Sequence, residues 1–581
     1  MRQILLILLI LPNFLISQVN QLFSESDTIK YEHRTGGKGL DSLDMTFCNS
    51  VSTFSGGVLN NQNKSISSSF LFSHPGLQGF KNNTLFKPLV FSGTPHLGFS
   101  YSFGAKGIQF LHYDFQQAIS KNILLNIEGL RNSSGIKNGT ASFLRNSKYS
   151  DNIVSVSLRK NGVFHSMLFE SNYINKTISL NGGITSDEFI DSQGTESLPV
   201  LKKDAKQIIK SANIKLTNCF NVLNDSMKSL GFISKNQYEI TSREYTETDI
   251  LSVFNINQFK TRDQYRLASV RNSLGVYTKT KTLFLDVLLQ HRYWDYQNLG
   301  NHIDTTEVNL TSALEIKFRG SKIKNNFYFN LIGAGREWSN SSNLLVTLSK
   351  VKLIGTLCVE RKWPDQFQRF YYSNKYDYKL INYQLQNRFY SEVTGRYDFS
   401  NSFNVQVSLS NTLLNNNYFF INNTWRNDTL NTIIINSLLL SGSLKFGILT
   451  IQPRLCINIP TSNFNYIPKT TINSRIFIKK KIFKAKKFEC ILGTDFSWVS
   501  SYNLMAYNYT IDVFSIENTS KQFVQMTNLS AFFGFTLGDF RMYARMENIG
   551  YFWNDKRNQI VEGFPIQKNF IRLGVTWDFF N

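Results

Sequence analysis

The residues in this chain best suited to chemistry are its histidines and cysteines, and neither set is arranged for catalysis. His33, His74, His96, His112, His165, His291 and His302 stand far apart. A metal site needs several ligands converging on one ion, and no HExxH spacing brings two of these imidazoles together, so structural or solvent-facing roles are expected. Cys48, Cys219, Cys358, Cys456 and Cys490 are odd in number and widely spaced, with no CxxC pair for metal or redox work. They read as small apolar residues buried in strands, although Cys456 and Cys490 could pair across neighbouring hairpins if geometry allowed. His165-Ser166, on an apparent strand, sets a base beside a nucleophile, as an outer-membrane phospholipase would require. Adjacent strand residues point to opposite faces, however, and a nucleophile must meet its base on one face. With no GxSxG elbow and no phosphate-cradling loop, no catalytic residue, metal ligand or cofactor is assigned.

Charge is the second kind of chemistry on offer. Lys and Arg number 63 against 41 Asp and Glu, a formal net charge of +22. Such an excess suits a channel that attracts anions, or a surface that meets acidic lipid or polysaccharide. The basic residues are scattered rather than gathered into a stripe, so biased composition is the first reading. Nucleic acid is not an expected partner of an exported chain.

The elements that hold these charges follow from periodicity. Residues 1–17, MRQILLILLILPNFLIS, carry one Arg, an apolar core and small Ser17, the pattern of a secretory leader cleaved to leave Gln18. No Cys lies near the cut to take a lipid, and later apolar runs such as Ile433 to Leu440 are broken by Asn436 and Ser437. No helix can therefore span a bilayer, which leaves a β-barrel as the only way to cross one. From about Leu97 to the C-terminus apolar and polar residues alternate with period two. Leu97, Phe99, Tyr101 and Phe103 oppose Gly98, Ser100 and Ser102; Phe403, Val405, Val407 and Leu409 oppose Asn404, Gln406, Ser408 and Ser410. Several segments approach the roughly 9–11 residues that a tilted strand needs to cross a membrane. The polar face carries charge. Asp286 and Arg292 lie opposite Leu283 to Leu289, and Glu315, Lys317 and Arg319 opposite Leu314, Ile316 and Phe318. Polar joints at Arg131 to Thr140, Asp191 to Leu198 and Asp295 to Asp304 read as turns and longer loops, and Leu201 to Ile209 as a segment that could hold one or two helical turns.

These signals predict an all-β protein, a transmembrane antiparallel up-and-down barrel of roughly 14–20 strands. Residues 1–17 are the leader, 18–64 a lead segment of weak pattern, and 65–581 the barrel. In the last strand Leu573, Val575, Trp577 and Phe579 are expected to face lipid, with Ile571, while Arg572, Thr576 and Asp578 face the lumen. The closing aromatic pair suits a girdle at headgroup level.

Short motifs then occur in a telling order: Thr94-Pro95 with Leu97-Gly98-Phe99-Ser100-Tyr101, the aromatic run Phe110 to Gln117, the turn Gly129 to Gly139, Leu180-Asn181-Gly182-Gly183-Ile184, and Glu562-Gly563-Phe564-Pro565 before Phe570 to Phe580. In that order the chain resembles the putative porins of Bacteroidetes, which implies an outer-membrane barrel and carries no catalytic motif. Together with the charged face, this leads to an expected function of passive diffusion of small solutes through a water-filled lumen, without catalysis. Asp286, Arg292, Glu315, Lys317, Arg319, Arg572 and Asp578 are the candidate selectivity charges. The alternatives are a binding or adhesion barrel, or an energy-coupled nutrient receptor, which would need a plug of about a hundred residues, barely accommodated before Leu97; a secreted soluble all-β protein is a third. Expected partners are outer-membrane lipid, the barrel-assembly machinery and small solutes, in the bacterial outer membrane; oligomeric state is left open.

Overall fold

A computed structural model describes residues 95–580 apart from short connecting stretches, the longest of them 136–147 and 372–382. The leader 1–17, the segment 18–64 and residues 65–94 of the expected barrel lie outside the described residues, as does Cys48. Twenty-two antiparallel strands form a closed ring. They are β1 (His96–Gly104), β2 (Ile108–Ser120), β3 (Ile123–Ser134), β4 (Tyr149–Lys160), β5 (His165–Ser179), β6 (Lys206–Asn224), β7 (Lys228–Glu247), β8 (Lys260–Thr280), β9 (Leu283–Asn298), β10 (Asn301–Phe318) and β11 (Ser321–Ile332). The second half comprises β12 (Trp338–Leu348), β13 (Val351–Lys362), β14 (Gln386–Ser400), β15 (Phe403–Asn415), β16 (Thr432–Phe446), β17 (Leu449–Pro460), β18 (Thr470–Lys481), β19 (Phe488–Val499), β20 (Met526–Leu537), β21 (Phe540–Glu547) and β22 (Phe570–Phe580). Each pairs with the next in sequence, and β1 closes the ring on β22 with Leu97 opposite Phe579 and Phe103 opposite Leu573.

The class is the one the alternation predicts; the count of 22 exceeds the expected 14–20. The excess has a local cause. On β11, β12 and β14 the face that carries Phe327, Leu344 and Val393 also carries Asn325, Asn340, Ser342 and Ser391, so period two fades there. Lys206 to Ile209 open β6 rather than a helix. The described α-helix is the five-residue Gln366–Phe370, capped by Asp365, whose side chain accepts the Phe367 N–H.

The connections divide by end. At the end where β22 finishes none exceeds six residues. Arg319-Gly320 is typical, with φ of 40° and 82°, the paired left-handed conformations that match the twist of a tight hairpin. At the other end the connections include 180–205, 363–385, 416–431, 500–525 and 548–569. One mouth is therefore rich in loops, as the turns and longer loops suggested, although Asp295 to Asp304, read as a loop, belong to β9 and β10 apart from residues 299–300. Outward faces expose large apolar side chains such as Phe99, Phe103, Leu492, Phe533 and Trp577, whereas the inward faces bury Glu128, Arg159, Asp286, Glu307 and Arg572. That is a fold inverted for hydrocarbon.

Candidate functional site: an inner wall of ion pairs and a strap across the mouth

Every second residue of each strand points inward, so the inner wall inherits the polar half of the alternation. On β9, Asp286 accepts the Lys235 ammonium at 3.1 Å and the Ala313 N–H at 2.8 Å. Three pleat repeats further along the strand, Arg292 lies 3.5 Å from Glu307, which also accepts the Trp294 indole N–H at 2.8 Å. Glu315 meets three ammonium groups, Lys322 at 2.8 Å, Lys324 at 3.3 Å and Lys317 at 3.6 Å. Arg319 follows the end of β10, in the turn, and shares no strand face with the others. On the far wall Arg572 pairs with Glu547, and Asp578 lies 3.8 Å from both His96 and Arg541. Asp495 bridges Arg475 and Arg545 nearby. The seven charges singled out in the sequence thus do not form one ring. The structure distributes six of them, all but Arg319, over local clusters, in each of which opposite charges compensate the cost of facing one another inside a shielded wall.

Loops that a polar composition would leave in water instead fold together over the mouth. The connection 500–525 contributes Tyr502, Leu504 and Tyr507 to an apolar cluster with Ile178, Leu180, Leu198, Tyr245, Tyr551 and Phe564. It contributes Ile511 and Val513 to a second cluster with Tyr265, Trp294, Tyr296, Phe367, Tyr371 and Phe420, and Ile516 to a third with Leu414, Phe419, Ile433 and Phe464. Its strand Val513–Ile516 pairs with Ala506–Asn508 and, in parallel, with Phe419–Ile421 from the connection 416–431. The segment is rooted between β19 and β20, whereas Tyr265 sits on β8. In a closed ring of 22, β8 and β19 are eleven places apart, the greatest separation possible. Within this connection, residues 502–516 therefore form a strap that crosses the whole mouth.

A buried ionic latch fastens the strap to the opposite wall. The Arg243 guanidinium on β7, fully buried, donates to the carbonyl oxygens of Thr510 at 2.6 Å and Tyr509 at 3.3 Å, to Asp263 on β8 at 3.0 Å and to Gln207 on β6 at 3.3 Å. Tyr371, from the connection 363–385, donates its phenol to the same Asp263 at 2.9 Å, and Tyr507 donates to Asp512 at 2.6 Å. Burial, with the carboxylate beside each, holds both phenols well above their ordinary pKa, so both remain donors. Elsewhere the roof is tied by side chains such as Asn558, which donates to Val524 O at 2.6 Å and accepts the Val524 N–H at 3.1 Å, and by the backbone. Ile184 N–H donates to Gly563 O at 2.8 Å, and Glu562 N–H to Met505 O at 3.2 Å. Gly183 and Gly563, at φ of 90° and 81°, lie against each other so closely that a Cβ on Gly183 would sit 2.9 Å from the Gly563 carbonyl. Sequence reasoning passed over these latch residues. The available signal was the density of Tyr, Leu, Met, Ile, Val and Phe between 502 and 516, too apolar for a solvated loop.

His165 and Ser166 point to opposite faces: the imidazole stacks on Phe220 outside, while Ser166 is buried on the inner side. Cys456 faces inward on β17 and Cys490 outward on β19, with β18 between them, and the four described cysteines are free. Among the described residues no group of three or more His, Cys, Asp or Glu is placed to hold a metal ion.

Fold and wall together define a large outer-membrane-type β-barrel of the transport class. The sequence matches the model of the putative porin family over residues 56–581, and the chain belongs to that family. No curated protein matches it. Among solved structures it is similar to the siderophore receptor PirA from Acinetobacter baumannii, with a TM-score of 0.60 and 11% identity, over 85% of this chain and 81% of that one. The FrpB iron transporter from Neisseria meningitidis gives 0.57 and 8%, covering 84% and 83%, and the copper transporter OprC gives 0.58 and 9%, covering 84% and 80%. At these identities the likeness is one of fold. Family and fold point to a bacterial outer-membrane protein.

Proposed function

We propose that this protein moves small polar solutes across the outer membrane through a mouth that is closed at rest, in the manner of a receptor-like transporter rather than a permanently open diffusion pore. The observation that carries the reading is the strap, held at the far wall by Arg243. Two further points support it. A ring of 22 strands is too wide to select solutes by its own diameter, and barrels of that size have a plugged lumen where those of 16–18 strands leave an aqueous channel. The solved barrels of similar fold include proteins described as a siderophore receptor, an iron transporter and a copper transporter. The local charge clusters around Glu315, Arg292 and Asp286 then act once the strap has moved, biasing which ions pass. We further propose that residues 1–17 direct export and that the source is a member of the Bacteroidetes, a reading supported by the leader-like pattern of MRQILLILLILPNFLIS and by the order of the short motifs.

Val499 and Met526, at the two roots of the strap, are direct partners on neighbouring strands. Replacing 501–524 by a short Gly-Ser turn should therefore leave an ordinary hairpin. Proteoliposomes carrying the shortened protein should swell at least tenfold faster in a small sugar than those carrying the full chain. Equal rates would sink the closed-mouth reading and favour free diffusion.

A further inference from the structure

The outer surface of the barrel is not uniformly suited to lipid. On β17, Ile451, Leu455, Ile457 and Ile459 face outward, and on β20 Leu529, Phe533 and Phe535. Across β11 to β16, however, one line of directly paired residues reads Asn325, Ser342, Leu357, Ser391, Asn411, Asn436. Five of the six are polar. Apolar residues flank the line on either side: Phe327, Phe389 and Ile434 toward the loops, and Ile323, Val393 and Leu438 toward the short turns. The polar residues are therefore set within the apolar band rather than at its rim. They share the exposed face of Val393 and Leu409.

Hydrocarbon offers amides nothing, so polar side chains in the membrane turn toward protein. Here they partly satisfy each other. The Asn325 amide donates to Asn340 Oδ1 and Ser342 Oγ, both at 2.7 Å, and the Asn411 amide to Asn436 Oδ1 at 2.7 Å. That arrangement uses Asn411 as donor and Asn436 as acceptor, leaving the Asn436 amide hydrogens and the Asn411 carbonyl oxygen on the outer face. The line thus presents both halves of a further hydrogen-bond set, with no charge of its own to be matched by a partner of opposite sign. This is the chemistry of a face that meets its own copy, as in an isologous contact.

We propose that the outer face of β11 to β16 is an interface with a second copy of this chain in the plane of the membrane. Size agrees with chemistry: six strands at ~4.8 Å spacing, over an apolar band ~25 Å tall, present about 700 Å². A stable contact buries about 800 Å² on each partner.

The test is thiol crosslinking of the full chain in outer membranes, in a Cys490→Ser background because Cys490 also faces outward. With a short bis-maleimide, Asn436→Cys and Asn411→Cys should each give an adduct of twice the chain mass, and Phe533→Cys, on the apolar half, should not. Asn325→Leu/Asn411→Leu/Asn436→Leu should reduce the dimer in detergent extracts at least tenfold. Heat-modifiable gel mobility reports that the barrel itself still folds. Absence of an adduct at both asparagine positions, an adduct with a different protein, or equal crosslinking at Phe533 would each overturn the proposal.

Discussion

Arg243 is the group whose loss should show most directly whether the strap governs the mouth. Its guanidinium makes two charge-assisted bonds to strap carbonyls and one to Asp263, with no exposure to solvent. A hydrogen bond to a charged group contributes about 1.5–3 kcal/mol, so replacing Arg243 by Met should weaken strap closure by about 3–6 kcal/mol while keeping the bulk of the stem. At ~1.4 kcal/mol per tenfold, the unlatched population should rise by about 10²–10⁴. The substitution also strands the Asp263 carboxylate, and an uncompensated buried charge costs about 3–5 kcal/mol in the barrel itself. Arg243→Met/Asp263→Asn removes that second effect, since Asn can still accept the Tyr371 phenol, and separates latch from scaffold. The assay is single-channel recording in planar bilayers. The unaltered protein should be quiet, and both variants should open to a large conductance. If the double variant folds and stays silent, or if the unaltered protein already holds that conductance open, the strap is not what closes the mouth.

Three further outcomes follow from the same structure. In the opened double variant, Glu315→Gln leaves Lys317, Lys322 and Lys324 without their shared carboxylate, and the reversal potential in a salt gradient should move toward anion preference; an unmoved potential removes this cluster from the pathway. Val575→Arg puts a charge on the outer face of β22, where Val575 pairs with Tyr101 and Met542. It should cost about 2–4 kcal/mol in a urea titration of folding into bilayers, whereas Thr576→Arg, facing inward, should cost far less. Equal costs would mean that the faces of the last strand are wrongly assigned. Gly574 lies under the Tyr543 ring, which an added Cβ would overlap. Gly574→Ala should therefore lose about 1–3 kcal/mol of stability, and a thermal midpoint unchanged from that of the parent would show that the ring moves aside freely.

Some of this architecture could be read in the linear chain because a membrane strand carries its own address. Leu573, Val575, Trp577 and Phe579 alternate with Arg572, Gly574, Thr576 and Asp578, and a two-residue period forces the two sets to opposite faces whatever the strand pairs with. Class, direction of alternation and the division into tight turns and long loops are local properties of this kind. Strand number is less so: the outward Asn and Ser residues of β11, β12 and β14 weaken the period where a copy of the protein, rather than lipid, is proposed to cover them.

Proximity around the ring was beyond the reach of pattern. Arg243 and Thr510 are 267 residues apart, and nothing in the residues beside either one marks them as partners. They meet because closing 22 strands sets β7 and β8 opposite the roots of the strap, and because the side chains of 502–516 are too apolar to remain in water. The same holds for the charges. Asp286, Arg292 and Glu315 were visible as inward-facing candidates, but which lysine or carboxylate neutralises each depends on register between strands, and register exists only once the barrel has closed.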